Sequence, residues 1–376
     1  MNSYLIDHRN PQGWSLTKAL ATIHIDALLF MGLLILMSAG LMILYSAGDQ
    51  SFSLMIRQLI RISAALFIML IIANIHPDRM RDSSYWLYGA GLLLLVAVLA
   101  FGHEGKGAQR WLDLKLFRFQ PSELMKLAVP ILVAAYLAER PLAPTVMRLI
   151  VGMIMIIVPS LLIAKQPDLG TSLLIASSGL IVIFLSGISW RIIIGFIISC
   201  TSALPVLWYV MHDYQKQRVL TFLNPESDPL GSGYHIIQSK IAIGGGGLFG
   251  RGWLEGTQSH LAFLPERSTD FIFAVIAEEF GLFGVALLLG LYLLIAARGV
   301  YIASQAQTSF ARLLAGSISL TFLVYVFVNV GMVTGLLPVV GVPLPLVSYG
   351  GTSMVTLLAG FGILMSIHTH RRMMTP

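Results

Sequence analysis

The stretch LIVGMIMIIVPSLLIAKQPDLGTSLLIASSGLIVIFL, residues 149–185, contains two long apolar segments separated by only a few polar residues. With their flanking residues these segments extend over 147–164 and 170–188. An α-helix needs roughly 20 apolar residues to cross the hydrocarbon core of a bilayer. The stretch therefore predicts two consecutive transmembrane helices joined by a tight polar turn.

Segments of the same kind recur along the whole chain. The chain of 376 residues is 56% hydrophobic and only 11% charged, with a mean hydropathy of +0.82, which excludes a soluble domain. We predict an all-α polytopic membrane protein, a single transmembrane domain over residues 1–376 with about ten helices. The other eight predicted spans are 27–46, 58–75, 84–102, 121–138, 191–211, 271–297, 312–335 and 346–367.

The distribution of Lys and Arg predicts the orientation of these helices. Cations are frequent in the short connections that lie inside if both termini are cytoplasmic, as the positive-inside rule requires. This orientation places 103–120 and 212–270 outside, the second as a large extracytoplasmic loop between helices 7 and 8.

The first of these outer segments contradicts the positive-inside rule, because it carries several cations within one short loop: Lys106, Arg110, Lys115 and Arg118. Two explanations remain open. The cations contact lipid headgroups, or they bind an anionic group of a substrate, for which clustered Arg and Lys suit phosphate.

Several charged residues stand at the predicted outer ends of helices. In RFQPSELMK, residues 118–126, Glu123 and Lys126 are three positions apart, so they could form an ion pair on one helix face or contact a substrate. Asp168 and Asp270 each precede an apolar run, where an Asp is a favourable helix N-cap.

These residues share one side of the membrane with the basic loop. A charged side chain in hydrocarbon costs about 2.5–3.5 kcal/mol on insertion scales, so such groups normally face the interior of a bundle or a wet cavity. The grouping therefore predicts a water-filled vestibule at the outer face that contains carboxylates and cations together.

Two further outer segments are unusual in composition. The segment 224–266 includes IIQSKIAI, a predicted short amphipathic piece with Lys240, and GGGGLFG, which lacks the GK[ST] ending of a P-loop and is interpreted as a flexible turn. The Gly- and Pro-rich segment 335–353 is typical of a re-entrant or broken helix lining a cavity.

Metal-binding signals are weak. Glu226 and Asp228 could hold a divalent ion, but two acidic residues in a loop carry little weight. The nine histidines lack zinc-site spacing, and the single cysteine, Cys200, excludes an intrachain disulfide.

Taken in order, the motifs RFQPSE, KQPDLGTS, GTQSHLAFLPERSTDF and VGVPLPLVSYGGTS resemble those of the SEDS (shape, elongation, division and sporulation) proteins of bacteria. The resemblance covers nearly the whole chain and is greatest with the elongation branch. Ser268 stands where the division branch commonly has a histidine.

The resemblance implies a peptidoglycan glycosyltransferase that polymerises lipid II for cell-wall elongation. It implies Asp270 as the essential acid and gives Glu278 and Glu279 no catalytic role. We assign substrate binding to Arg110, Glu123, Lys126, Asp168, Lys240 and Ser348.

The family also implies the surroundings of the protein. These are the bacterial cytoplasmic (inner) membrane, an active site facing the periplasm, an undecaprenyl-linked glycan strand as second substrate, and a class B penicillin-binding protein among other elongation-complex proteins. No nucleic acid and no certain cofactor are implied. A divalent cation, Mg²⁺ or Mn²⁺, stabilising the leaving diphosphate is an open alternative to cationic side chains.

Two other functions remain open at this stage. A lipid II flippase would also have many spans and buried ionisable groups, but these would line its whole depth. A non-catalytic scaffold of the elongation machinery would leave the outer carboxylates and cations unexplained.

Overall fold

The protein is described by a computed structural model over residues 24–105, 108–113, 118–211, 213–227, 232–257 and 266–370. The first half of the chain forms α1 (Ala27–Ala47), α2 (Phe52–Ala73), α3 (Pro77–Asp82), α4 (Ser84–Phe101), α5 (Pro121–Ala138), α6 (Val146–Ala164) and α7 (Leu169–Leu185). The second half forms α8 (Trp190–Val210), α9 (Asp213–Leu223), α10 (Ser232–Gly246), α11 (Ile272–Ser304), α12 (Ser309–Thr334) and α13 (Thr352–Thr369).

Eight helices of the described chain are long and apolar enough to cross a membrane: α1, α2, α4, α5, α6, α11, α12 and α13. Each coincides with a predicted span. The two remaining predicted spans form α7 and α8, whose described apolar segments are shorter. The all-α polytopic membrane fold is therefore confirmed.

The boundaries of several helices differ from the predicted ones: α2 begins at Phe52 rather than at 58, and α11 ends at Ser304 rather than at 297. The last helix begins at Thr352 rather than at 346, because residues 335–351 form no regular helix. The segment that was expected to be a broken helix thus takes the place of the first residues of the predicted last span.

The segment 103–120 was expected as a basic loop, and the structure adds a small antiparallel sheet there. Strands β1 (His103–Gly105), β2 (Ala108–Asp113) and β3 (Arg118–Phe119) lie in the order β1-β2-β3. Leu112 pairs with Phe119 across β2 and β3. Strand β2 carries Arg110, whose guanidinium contacts Pro167 and Asp168 at the start of α7. Lys106 and Lys115 lie outside the described residues, and the side chain of Arg118 is likewise not described.

The core sits between α11, α12 and α13. Tyr292, Phe322 and Phe361, one from each helix, pack with ring centroids 5.6 and 5.0 Å apart. Tyr292 also donates a hydrogen bond of 2.6 Å to the Pro345 carbonyl, which ties the broken segment to α11. Large apolar side chains such as Leu93 and Phe327 remain exposed on the outside of the bundle, as expected for contact with lipid.

The bundle has two ends with different polar groups. At the first, called the site end, α5, α7 and α11 begin. At the opposite end α1 begins and α11 and α13 finish, where Asp26 contacts Arg298 at 2.6 Å and His368 at 3.2 Å. These contacts join three helices by their charged ends.

Candidate active site

The start of α5 supplies a buried ion pair. Pro121 occupies the first turn, where its missing N–H is not needed, and Glu123 follows in that turn. Glu123 is 6% exposed, and its Oε1 accepts a hydrogen bond of 2.7 Å from Lys126 Nζ. The Lys126 ammonium also lies 5.5 Å from the centre of the Tyr325 ring. The pair therefore faces the bundle interior and not lipid.

Asp168 both caps a helix and joins a polar network. Its Oδ1 accepts from the Thr171 backbone N–H at 3.2 Å, so the N-cap role is present. Its Oδ2 accepts from Gln120 Nε2 at 3.2 Å and lies 3.7 Å from Arg110 Nε. Arg110 also donates to the carbonyl of Pro167. Asp168 thus orients Arg110, a role that capping alone does not require.

Asp270 lines a cavity of about 440 Å³ at the site end. The cavity brings this carboxylate together with Arg110, as the sequence predicted. It also contains residues that sequence reasoning did not select: Arg218, Thr221, His235 and Glu266. Arg218 lies on α9, a short helix of mixed charge within the long outer loop. Nothing in its sequence distinguishes Arg218 from the other charged residues of that helix.

His235 lies against the residue that follows Asp270. Its ring stacks on Phe271 with centroids 5.5 Å apart and an interplanar angle of 23°. Burial lowers the pKa of His235, and the nearby carboxylate of Glu266 opposes this effect. His235 therefore contributes a polar but predominantly neutral surface at neutral pH.

The backbone before α11 is held by the broken segment and by α12. Asn329 donates to the Asp270 carbonyl at 2.9 Å and to the Val342 carbonyl at 2.7 Å. Ser348 Oγ donates to the Thr269 carbonyl at 2.6 Å and accepts from Leu344 N–H at 2.8 Å. The N-cap residue of α11 is Phe271, so Asp270 stands before the capping position.

Two of the predicted substrate contacts have other surroundings. Ser348 uses its hydroxyl on two backbone partners, which makes it a positioning residue for the Asp270 segment. Lys240 is exposed on α10 and passes over Gly335, where φ is +74° and a Cβ would lie 2.4 Å from Lys240 Cε. Lys240 does not line the Asp270 cavity. Direct substrate contact by either residue stays a prediction.

Glu278 and Glu279 face different partners at a break in α11. Glu278 is 0% exposed, and its Oε1 accepts from Thr257 Oγ1 at 3.1 Å and lies 3.9 Å from Arg251 Nη1. Glu279 accepts a hydrogen bond from Ser46 on α1. Two adjacent carboxylates therefore fasten the outer loop and α1 to the same turn of helix.

The glycine-rich turn was expected to be flexible, and the structure corrects this expectation. The turn 246–252 docks on the helix break at Gly281: Arg251 N–H donates to the Glu278 carbonyl at 3.0 Å, and Leu282 N–H donates to the Gly247 carbonyl at 3.0 Å. A Cβ on Gly250 would lie 2.0 Å from the Glu279 carbonyl oxygen, so this backbone approach requires glycine.

A metal site finds little support in the described part of the chain. No group of three or more His, Cys, Asp or Glu residues among the described residues could hold a metal ion. Of the two acidic residues suggested by the sequence, Glu226 is exposed and Asp228 lies outside the described residues.

Comparisons with known proteins give a consistent family. The family model described as a cell cycle protein, covering FtsW, RodA and SpoVE, matches residues 18–373. Peptidoglycan glycosyltransferase MrdB of Escherichia coli (strain K12) is 54% identical over 354 residues, which cover 94% of this chain and 96% of that protein. Peptidoglycan glycosyltransferase RodA of Treponema pallidum (strain Nichols) is 32% identical over 423 residues, covering 92% and 98%.

Solved structures with a similar fold point to the same family as these related sequences. A chain from a structure of a peptidoglycan synthase complex that coordinates polymerization and crosslinking has a TM-score of 0.81 and 34% identity, covering 93% of this chain and 98% of that one. The rod shape determining protein RodA of Thermus thermophilus has a TM-score of 0.70 and 30% identity, covering 91% and 96%. The chain therefore belongs to the FtsW, RodA and SpoVE family, the SEDS proteins that its motifs resemble.

Proposed function

We infer that this protein is a peptidoglycan glycosyltransferase of the elongation type, which polymerises lipid II into β-1,4-linked glycan strands. The names of two similar proteins, both peptidoglycan glycosyltransferases, support this activity. The observation that carries the mechanism is the single cavity in which Asp270 stands with Arg110 and Arg218.

The chemistry requires one base and a site for a leaving diphosphate. Asp270 takes the proton from the GlcNAc 4-hydroxyl of the acceptor, lipid II. The 4-oxygen attacks C1 of the terminal MurNAc of the donor strand, the C1–O bond to phosphate breaks, and undecaprenyl diphosphate leaves with the bonding electrons. Because the leaving group is already a stable anion, no second carboxylic acid is needed to protonate it, in contrast to glycoside hydrolysis.

The cations of the cavity stabilise the charge that develops on this leaving group. Arg110 is oriented by Asp168 and by backbone carbonyls, so its guanidinium is fixed before substrate binds. Gln120, the N-cap residue of α5, donates to Asp168, and the Glu123–Lys126 ion pair lies at the same end of that helix. This arrangement gives Glu123 and Asp168 supporting roles.

The protein acts in the bacterial inner membrane with both termini in the cytoplasm and the Asp270 cavity toward the periplasm. The basic segments at the opposite end and the positive-inside rule support this orientation. Its partner is a class B penicillin-binding protein that crosslinks the strands, within the elongation complex. The similarity to a chain of a synthase complex that coordinates polymerization and crosslinking supports this partner.

The geometry favours an enzyme over the two alternatives. The Asp270 cavity and its cations lie at one end of the bundle, while Tyr292, Phe322 and Phe361 fill the middle with aromatic rings. A flippase needs a polar path through that depth. A scaffold gives no reason for a cavity that contains a carboxylate and two arginines, or for a buried ion pair at the start of α5.

The test is polymerisation of fluorescent lipid II by the purified protein with its class B partner. We expect glycan ladders from the wild type and none from Asp270→Asn, which keeps the side-chain shape but removes the base. Equal ladders from both proteins would exclude Asp270 as the base. Absence of ladders from the wild type, with transport of lipid II in vesicles, would favour the flippase.

A further inference from the structure

Arg61 is a charged residue inside a membrane-spanning helix with no role in the site described above. It lies in the middle of α2, well after the start of the helix at Phe52. A cation at this depth is unfavourable unless it faces a cavity or an anion, and such residues commonly mark substrate sites.

The surroundings of Arg61 leave its guanidinium available for an anion. Its guanidinium carbon lies 4.3 Å from the centre of the Tyr349 ring, and no carboxylate lies within 4 Å of it among the described residues. A Cβ on Gly351 would lie 3.4 Å from Arg61 Nε, an ordinary contact distance, so the side chain of Arg61 lies against the start of α13. The ring fixes the side chain without neutralising it.

Arg61 stands in a groove of about 990 Å³ between α2, α5 and α13. Most of its lining is apolar and includes Ile68, Leu127 and Val355. Its polar groups come from Arg61, Trp111, Glu123, Thr352 and Thr356, and Arg61 and Glu123 are the charged ones among them. The charge of Glu123 is matched by Lys126 at 2.7 Å. An apolar groove with one uncompensated cation fits a lipid with an anionic phosphate head.

The position of the phosphates in the reaction distinguishes the two lipid-linked substrates. In the donor, the diphosphate is attached to the carbon that is attacked, so it must lie beside Asp270. In the acceptor, two sugar rings separate the attacking 4-hydroxyl from the diphosphate. The Asp270 cavity has Arg110 and Arg218 for the first diphosphate, and Arg61 does not line that cavity.

We propose that Arg61 binds the diphosphate of the acceptor substrate, and that the groove between α2, α5 and α13 holds the polyprenyl chain of that substrate. Arg110 and Arg218 then serve the donor alone. This assignment rests on the proposed glycosyltransferase function.

The test uses two lipid II analogues that separate the substrates. An analogue with an axial 4-hydroxyl donates but cannot accept, and a phosphonate analogue without a cleavable C1–O bond accepts but cannot donate. Arg61→Gln is expected to raise the KM for the acceptor analogue by about tenfold to a hundredfold, the range for loss of a hydrogen bond to a charged group, with the donor KM unchanged. Arg61→Lys, which retains the charge, is expected to fall between Arg61→Gln and the wild type.

The matched control is Arg57→Gln, one turn earlier on α2, because Arg57 is exposed and does not line the groove. An unchanged acceptor KM in Arg61→Gln, or an equal rise for donor and acceptor, overturns the assignment. If the wild type couples nothing, the glycosyltransferase function itself fails. Direct binding of the labelled acceptor analogue then tests the role of Arg61. Weaker binding by Arg61→Gln than by the wild type supports the assignment, and equal binding overturns it.

Discussion

Individual side chains in this protein divide into those that face the reaction and those that hold other groups in place. In the proposed mechanism Asp270 belongs to the first class. Asn329 and Ser348 belong to the second, since both donate hydrogen bonds to the backbone of the Asp270 segment. A displacement of about 1 Å in a catalytic group can lower a rate about a hundredfold, so these residues affect catalysis without touching substrate.

Ser348→Ala tests this positioning role. The variant loses the hydrogen bond to the Thr269 carbonyl and leaves the Leu344 N–H without its acceptor. We expect kcat to fall by about ten- to a hundredfold with little change in KM, because the base moves while the binding groups stay.

Ser353→Ala is the matched control, since Ser353 lies five residues further along and is only partly buried. A rise in KM at constant kcat in Ser348→Ala would instead show that the hydroxyl contacts substrate, as the sequence motif suggested.

At the scale of elements, short irregular segments position the site between regular helices. The broken segment 335–351 lies against α7, where a Cβ on Gly170 would be 2.7 Å from the Val340 carbonyl oxygen, and against α1, where Gly40 meets Val347. The turn 246–252 fills the break in α11 at Gly281 in the same way. Glycine permits these approaches because backbone meets backbone.

Gly246→Ala tests the docked turn. A Cβ at this position would lie 1.9 Å from the Ala277 carbonyl oxygen, so the turn must move away from α11. We expect lower thermal stability in detergent and reduced polymerisation, because the same turn of helix follows Asp270.

Gly244→Ala is the control on the same helix, since a Cβ there meets nothing within 4 Å. Exchange of Gly for Ala in a helix is otherwise stabilising by roughly 0.5–1 kcal/mol. Equal melting of the two variants would contradict the docked arrangement.

At the scale of the whole molecule, the two ends of the bundle differ in the polar groups that they contain. The site end has a cavity lined by charged side chains, whereas at the opposite end helix termini contact one another. There, His370 stacks on His24 at 4.0 Å between ring centroids and meets His76 edge-on at 5.1 Å. Asp26, Arg298 and His368 form a charged cluster at the same end, and Asp78 lies beside His76 at 3.5 Å.

The stability of this end should depend on pH. Burial lowers the pKa of His370, the Ser366 carbonyl raises it, and the neighbouring His24 and His76 lower it further, with a net depression below 6.5. A histidine with a depressed folded-state pKa binds its proton more readily in the unfolded chain. Stability is therefore complete above about 6.5 and is lost as the pH falls through the folded-state pKa.

Thermal melting in detergent, measured about one unit above and about one unit below 6.5, checks this expectation. The wild type should melt at a lower temperature at the lower pH, and His370→Gln should show a smaller difference. Identical pH differences in the two proteins would exclude His370 as the responsible group.

The sequence by itself determined the membrane fold, the ten apolar segments and the charged residues at their ends. Apolar length is a local property, and each helix satisfies its own backbone hydrogen bonds in lipid, so these features need no knowledge of the partners of a helix. The order of the motifs was enough to indicate the family. Asp270, Arg110, Glu123, Lys126 and Asp168 could be selected because charged residues are rare in such a chain.

Only the tertiary structure decided which of these groups meet. Arg218 and His235 join the Asp270 cavity from helices of the long outer loop, and Arg61 enters the groove between α2, α5 and α13 from the middle of α2. The docked turn at Gly281 and the division of labour between Glu278 and Glu279 also depend on contacts between distant segments. Such contacts follow from the three-dimensional packing of side chains and backbone, which no local pattern of hydrophobicity or charge encodes.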